Sequence, residues 1–263
     1  MVVGVLITLC SKNQDWDTLH NCDFFSVFLN SYQMTKTPSH KHRIYLGYDE
    51  NDKFFVKHHQ EIIDRLPKDA KVVVLPKRCN GNPCEAWNIL FKTAYNDDCE
   101  YFYQCGSDIV HNVRGWDDYF INLMKKNDND CIVGGVDARC WIQRCLINET
   151  GILENVFTGR KHYERFGWFF PPEVKTWYSD DLITKIYMNV NKCFICPNIQ
   201  YQNTNRVGDI NDRSRYVPPV NKPIATSWKQ LANTYTLKGF FNSNKQLART
   251  RTMPISNKID IHN

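Results

Sequence analysis

The feature that most constrains the fold of this chain is an alternation of strand-like and helix-like segments over its first 110 residues. Val2–Leu9, Arg43–Tyr48, Lys71–Leu75 and Tyr101–Val110 are rich in β-branched, aliphatic and aromatic residues. Such runs, bounded by Pro, Asn, Asp or Gly, predict strands. Between them, Phe24–Met34, Phe54–Leu66 and Cys84–Tyr95 carry apolar residues at helical spacing, for example Trp87, Leu90, Phe91 and Ala94 on one face of the third. Pro67 stops the second helix and Pro76 the third strand. Strand, helix, strand in repetition is the βαβ unit, whose crossover is right-handed and whose strands run parallel. The predicted class is α/β, a mostly parallel central sheet flanked by helices.

The run from Tyr101 to Val110 ends in chemistry. Strands of parallel sheets are apolar on both faces, and ligand sites of such sheets lie just beyond their carboxyl ends. Gly106-Ser107-Asp108 interrupts the run at such a place, which makes Asp108 a candidate metal ligand. A plain turn-forming or helix-capping role for Asp108 stays open beside it.

Past Asp108 the pattern loosens. Trp116–Lys126 predicts a helix and Cys131–Val136 a strand interrupted by Gly134 and Gly135, while Trp141–Leu153 fits either state. Phe166-Gly-Trp-Phe-Phe-Pro-Pro-Glu173 is aromatic and bounded by prolines, hence a loop. Ser179, Asp180 or Asp181 can start a helix that runs through Tyr187, and Phe194–Cys196 reads as a strand. Pro218, Pro219 and Pro223 mark the end of a core domain, residues 1–220, before an extension over 221–263.

Charge and cysteine usage narrow the function classes. The net charge of +5 is concentrated in residues 221–263, which sum to +6 while the other 220 residues sum to −1. A near-neutral body argues against a nucleic-acid-binding domain, whose charge lies on the fold itself. Trp228, Leu231, Tyr235, Phe240 and Phe241 in the extension favour its packing on the core. No apolar run reaches membrane length, and Met1–Cys10 lacks a basic flank and a cleavage site, so it is read as a strand and no transmembrane segment is expected. Eleven cysteines, an odd number and several within apolar runs, fit a reducing compartment, and a cytoplasmic location is expected. Cys193 and Cys196, three apart on a strand, point to opposite faces, which disfavours zinc. Asn148-Glu-Thr150 matches a glycosylation sequon, expected to stay unmodified in that compartment.

Four features fall at predicted strand ends of one sheet: the loop after Thr8, Asp49, the loop leading to Trp87 and Asn88, and Asp108. Asp180 and Asp181 stand at a helix start behind an aromatic loop that holds Trp168, Trp177 and Tyr178. A nucleotide carrying a divalent metal needs a base slot, a partner for ribose or base, and one or two hard oxygen ligands. Sugar chemistry adds a carboxylate base near the acceptor hydroxyl and flat apolar surfaces for sugar faces. The chain contains that inventory. Ordinary roles remain for some of it: Asp49 as a turn residue, Trp87 as core, and either Asp180 or Asp181 as a helix cap.

The order of strand-loop, Tyr48-Asp-Glu-Asn-Asp52, Ala86-Trp-Asn88, Gly106-Ser-Asp108, Gly167-Trp-Phe-Phe-Pro-Pro-Glu173 and Trp177-Tyr-Ser-Asp-Asp181 resembles nucleotide-sugar glycosyltransferases of the GT-A fold. It is similar to the family-2-like enzymes, including those of large DNA viruses and the glycosyltransferase domains of lysyl hydroxylases. The resemblance spans about residues 2–200. It implies a GT-A glycosyltransferase domain, a nucleotide-diphosphate sugar donor, a glycan acceptor and Mn²⁺ or Mg²⁺. By the same resemblance Thr8, Leu9 and Cys10 line the base, Asp49 contacts base or ribose, and Trp87, Asn88 and Ser107 belong to the donor site. Asp108 matches the last acid of the family's Asp-x-Asp metal motif and Asp181 the catalytic base, with Asp180 as its rival, while Trp168, Trp177 and Tyr178 are read from their chemistry as acceptor contacts. Inversion in a single displacement is the implied mechanism, and a viral origin would make the location the host cytoplasm. The chain departs from the pattern at Gly106, where the motif's first Asp is absent, and no late His completes a metal shell. His162 is too early and His262 lies outside the matched region. The alternatives from other classes are a non-catalytic glycan- or nucleotide-binding protein of the same fold and a nucleotidyltransferase. The second expects a glycine-rich loop after the first strand that Leu9-Cys-Ser-Lys-Asn13 does not supply.

Overall fold

The computed structural model describes residues 1–138, 151–204 and 223–241. The sequon at Asn148, loop residues 205–216, Pro218, Pro219 and the chain beyond 241 lie outside them, as does most of the segment 141–153.

The alternation resolves into β1 (Val2–Leu9), β2 (Lys41–Asp49), β3 (Lys71–Leu75) and β4 (Tyr101–Gln104), all parallel, with β1 between β2 and β4 and β3 outermost. The first crossover is a π-type turn, Phe24–Phe28, that runs into α1 (Leu29–Thr35). The second divides into α2 (Lys53–Lys57) and α3 (His59–Arg65), separated at His58, where a single helix is the sequence expectation. The third is α4 (Pro83–Asn96). Its start is written locally: Pro83 opens it, and the Asn82 side chain accepts the Glu85 N–H at 3.2 Å.

After β4 the topology changes hand. Following the turn at Gly106–Asp108 come β5 (Ile109–His111), α5 (Trp116–Lys126), β6 (Ile132–Asp137), β7 (Val156–Gly159), α6 (Arg160–Phe166), α7 (Ser179–Met188), β8 (Cys193–Asn203) and α8 (Pro223–Phe240). The eight strands form one sheet in the order β3-β2-β1-β4-β7-β6-β8-β5. β7 runs antiparallel to both β4 and β6, and β5 antiparallel to β8. β6 is one strand whose register against β8 shifts between Gly134 and Val136, so the expected interruption survives as an irregularity at the glycines. A Cβ on Gly134 would lie 2.5 Å from the Asn155 carbonyl and one on Gly135 2.3 Å from that of Ile199, so the glycines admit neighbouring backbone.

Strand alternation sorts the core into two layers. Val3, Val5, Ile7 and Leu9 of β1, Leu46 and Tyr48 of β2 and Tyr103 of β4 face α1, α2, α3 and α5. Leu6, Tyr45 and Phe102 face the opposite way, against α4, α6, α7 and α8. Thr8, Asp49 and Gln104 share the parity of Leu6, Tyr45 and Phe102 and so belong to the second face, at the carboxyl edge. The same rule separates the two cysteines once weighed for zinc, since Cys193 packs in the second layer and Cys196 in the first. None of the cysteines among the described residues is in a disulfide. No helix among them is long and apolar enough to cross a membrane. α8 lies along α7, with Ala232 fully buried and Thr236 Oγ1 donating to the Ile186 carbonyl at 3.2 Å.

Candidate active site

Asp49 ends β2 and Asp108 lies in the turn after β4, both at the carboxyl edge of the parallel strands, while Asp180 and Asp181 open α7. At the end of β1, the N–H and hydroxyl of Ser11 donate to the Asp52 carboxylate at 2.9 and 2.6 Å. Asp52 also caps α2 through the Phe55 N–H. This clasp fixes the β1 loop against the end of β2, where Asp49 stands half-buried. Burial, with Asp52 and Glu50 close by, pushes the Asp49 carboxyl above its ordinary pKa. Thr8 and Cys10 are half-buried beside it, whereas Leu9 is 5% exposed and points into the first core layer. Leu9 therefore packs the floor and leaves the ligand side of β1 to its two neighbours.

The Gly106–Asp108 turn is anchored at both ends. The Asn155 side chain, buried just before β7, accepts the Gly106 N–H at 3.0 Å. The Asp108 carbonyl accepts the N–H and hydroxyl of Thr204 at 2.8 and 2.9 Å. With its backbone held from β7 and β8, Asp108 keeps a half-buried carboxylate at the sheet edge, and Ser107 is half-buried beside it. A Cβ built on Gly106 would sit 2.6 Å from Asp108 Oδ1. A side chain at 106 would therefore turn the Asp108 carboxylate aside from its present position.

The helix α7 starts near this turn. Thr184 Oγ1, one turn beyond Asp181, accepts the Leu153 N–H at 3.0 Å, and Asn155 of the same short segment holds Gly106. On the other side Cys84, in the first turn of α4, donates its N–H to the Lys175 carbonyl at 3.2 Å. Its thiol donates to the Thr176 carbonyl at 3.9 Å, and burial pushes its pKa up to about 12. The start of α4 thus holds the loop that leads into α7, and the segment 153–155 bonds both α7 and the Asp108 turn. Tyr178, just before α7, has φ of 68°, an uncommon value for an aromatic residue and a local strain that sets the helix start. Asp180 Oδ1 accepts the Asp181 N–H at 3.1 Å and so serves the backbone of that start.

Between α6 and α7 the aromatic loop is pinned by two side chains. Asn88 Oδ1 accepts the N–H groups of Phe169 and Phe170 at 2.8 and 2.9 Å, and its amide donates to the Phe170 carbonyl at 2.9 Å. The His162 Nε2–H donates to the Phe169 carbonyl at 3.1 Å while its Nδ1 accepts the Tyr187 hydroxyl at 2.6 Å. Burial drives the His162 pKa down to about 3, so the ring is neutral and structural. Asn88 has both carbonyl lone pairs and one amide N–H committed to the loop, and acts as its clasp. Trp87 is half-buried against Phe170, with its Nε1 buried and unpartnered.

The aromatic residues divide. Trp168 stacks on Phe166 at 4.6 Å and meets Tyr235 of α8 edge-on at 4.9 Å, so its rings pack α6 against α8 instead of standing open to an acceptor. Trp177 is 37% exposed, and Tyr178 lies parallel to Trp228 of α8 at 6.4 Å. A small cavity lies on the other side of the sheet, lined by Tyr103, His111, Trp116 and Tyr201 among others. At about 10 Å³ it holds at most about one water.

Asn155, Thr204, Asp52 and Gln104 are the contributors that sequence reasoning missed. Asn155 follows a segment whose state is undecided from sequence, and Thr204 is distant in the chain. Asp52 was legible as turn chemistry but not as a partner of Ser11. Among the described residues, no group of three or more His, Cys, Asp or Glu side chains can hold a metal ion.

No family model matches the chain, and no curated protein matches it. Solved structures do. The chain is similar to TarS 1-349 of S. aureus in complex with UDP-GlcNAc, with a TM-score of 0.62 at 19% identity over 92% of this chain and 68% of that one. Against TarS 1-349 the TM-score is 0.55 at 16% identity, covering 99% and 76%. Against the complex with UDP it is 0.53 at 18%, covering 76% of this chain and 59%, about three fifths, of that one. At these identities the likeness shows the fold: a mixed α/β GT-A arrangement with an eight-stranded sheet flanked by helices.

Proposed function

We propose that the protein is a nucleotide-sugar glycosyltransferase that moves a sugar from a nucleotide-diphosphate donor to a glycan hydroxyl. What supports this reading is Asp49 at the carboxyl end of β2, the anchored Asp108 turn after β4, and an α7 opened by Asp180 and Asp181 whose Thr184 bonds the same short segment, 153–155, that holds Gly106. Support comes from the fold it shares with TarS, whose structures hold UDP and UDP-GlcNAc. The narrower kinship, to enzymes of large DNA viruses and lysyl hydroxylase domains, rests on motif order alone.

In this reading Thr8, Cys10 and Asp49 receive the nucleoside, with Trp87 and Ser107 bordering the donor. Asp181 takes the proton of the acceptor hydroxyl as it attacks the anomeric carbon, and Asp180 fixes the backbone that presents it. Inversion follows from one displacement. Trp177 and Tyr178 offer flat surfaces to the acceptor. With one carboxylate at the turn, a divalent cation, Mn²⁺ or Mg²⁺, would come with the diphosphate and would take Asp108 as its protein ligand. Bound there, it would offset charge on the departing diphosphate.

The test compares wild type, Asp108→Ala and Asp181→Asn for donor hydrolysis and transfer with a panel of UDP- and GDP-linked sugars. Removal of a general base lowers turnover by roughly 10²–10⁴-fold, and the Asp181 variant should fall in that range with donor binding kept. Equal activity in all three, or no binding of any nucleotide sugar, would remove the assignment. Gly106 favours a second reading, a binding protein of the same fold. That protein would bind donor by calorimetry and form no product in the same tube.

A further inference from the structure

We propose that Gln104 contacts the donor and helps set which sugar the site accepts, its amide pairing with one hydroxyl of the transferred sugar. This rests on the glycosyltransferase reading. Gln104 is the last residue of β4, two positions before the anchored turn, and is only 3% exposed. Its register partners are Leu6 of β1 and Val156 of β7, and Phe102 precedes it on the same face. The parity that assigns Thr8 and Asp49 to the α4 and α7 side assigns Gln104 there too.

In these apolar surroundings its Oε1 is buried with no hydrogen-bond partner. Native interiors leave few such groups unsatisfied, and a Met or Leu would suit Leu6, Val156 and Phe102 better. An amide retained at this position is accounted for when a ligand completes it. Oε1 needs a donor, which a phosphate oxygen cannot be. A sugar hydroxyl donates to Oε1 and accepts from Nε2, matching both halves of the amide. The turn two residues away is assigned to the diphosphate, and the sugar is bonded directly to that group. A site that hydrogen-bonds one substrate hydroxyl discriminates strongly against a sugar that lacks it.

The experiment uses the full chain and Gln104→Met, with calorimetric titrations of UDP, UDP-GlcNAc and UDP-glucose and thermal unfolding without ligand. Volume is nearly conserved and an unpaired polar group is removed, so the unfolding midpoint should rise by about 2–4 °C. UDP affinity should stay within about twofold, while the advantage of the preferred UDP-sugar over UDP should shrink roughly tenfold or more. A lowered midpoint, or a variant that keeps the wild-type preference for sugar over bare UDP, would overturn the role of Gln104 and leave the glycosyltransferase reading standing. A wild type that binds neither UDP nor either UDP-sugar would also overturn the Gln104 role, and one that binds no GDP-linked sugar either would sink both.

Discussion

Replacing Asn88 tests the assignment of this residue as a clasp. Asn88→Ala deletes three hydrogen bonds of 2.8–2.9 Å to the backbone of Phe169 and Phe170. Those residues are 0% and 2% exposed, so water cannot replace the lost partner without opening the loop. At a net ~1 kcal/mol per bond the expected loss is about 3 kcal/mol, with unsatisfied buried groups pushing it upward. For a chain of this size each kcal/mol moves the thermal midpoint by about 2–4 °C, giving a fall of roughly 6–12 °C. Urea unfolding followed by tryptophan fluorescence and far-UV dichroism gives the free energy, with an unchanged m-value as the check on cooperativity. UDP affinity, measured where the variant is fully folded, should stay within about twofold, because the carbonyl and one amide N–H of the side chain are held by the loop. A loss below about 1 kcal/mol, or a large drop in UDP affinity with stability intact, would refute the clasp and return Asn88 to the donor site.

Two further outcomes are expected. Gly106→Ala brings a methyl carbon into the space of Asp108 Oδ1, turning the carboxylate aside, so turnover should fall about tenfold or more with the thermal midpoint nearly unchanged. Steady-state kinetics beside a melting curve decide it, and full activity would show that the Asp108 rotamer is not used. Burial lowers the pKa of both His111 and His162 to about 3. Their folded values lie below the unfolded one, so the stability linked to them is complete above about pH 6.5 and is lost as pH falls toward 3. Each contributes a slope of at most about 1.4 kcal/mol per pH unit in that window. Urea midpoints between pH 7 and 4.5 should decline, and a flat profile would contradict the neutral buried rings. Asp117 acts lower down. Burial raises its pKa, but hydrogen bonds from His42 and Thr37 outweigh that and hold it at about 2, so its share disappears only below about pH 4.

Local pattern was enough to define the first half of this protein. Apolar runs of strand length, helical spacing in Cys84–Tyr95 and the stops at Pro67 and Pro76 set β1 to β4 and their crossovers, because parallel pairing demands a helix between neighbours. The interruption at Gly106 and the acids at 49, 108 and 180–181 were visible for the same reason: turn and helix-start chemistry is written in adjacent residues. Tertiary structure decided the rest. Whether a glycine in β6 breaks a strand or admits the Asn155 carbonyl depends on what lies across from it, and so does the fate of Asn88, Trp168 and Leu9. Asn155 and Thr204 hold the turn from 49 and 96 residues away, distances that no local pattern encodes. A side chain's type fixes what it can bond. Only packing fixes which of those bonds the fold has already used, and at this edge the difference separates a clasp such as Asn88 from an unsatisfied amide such as Gln104.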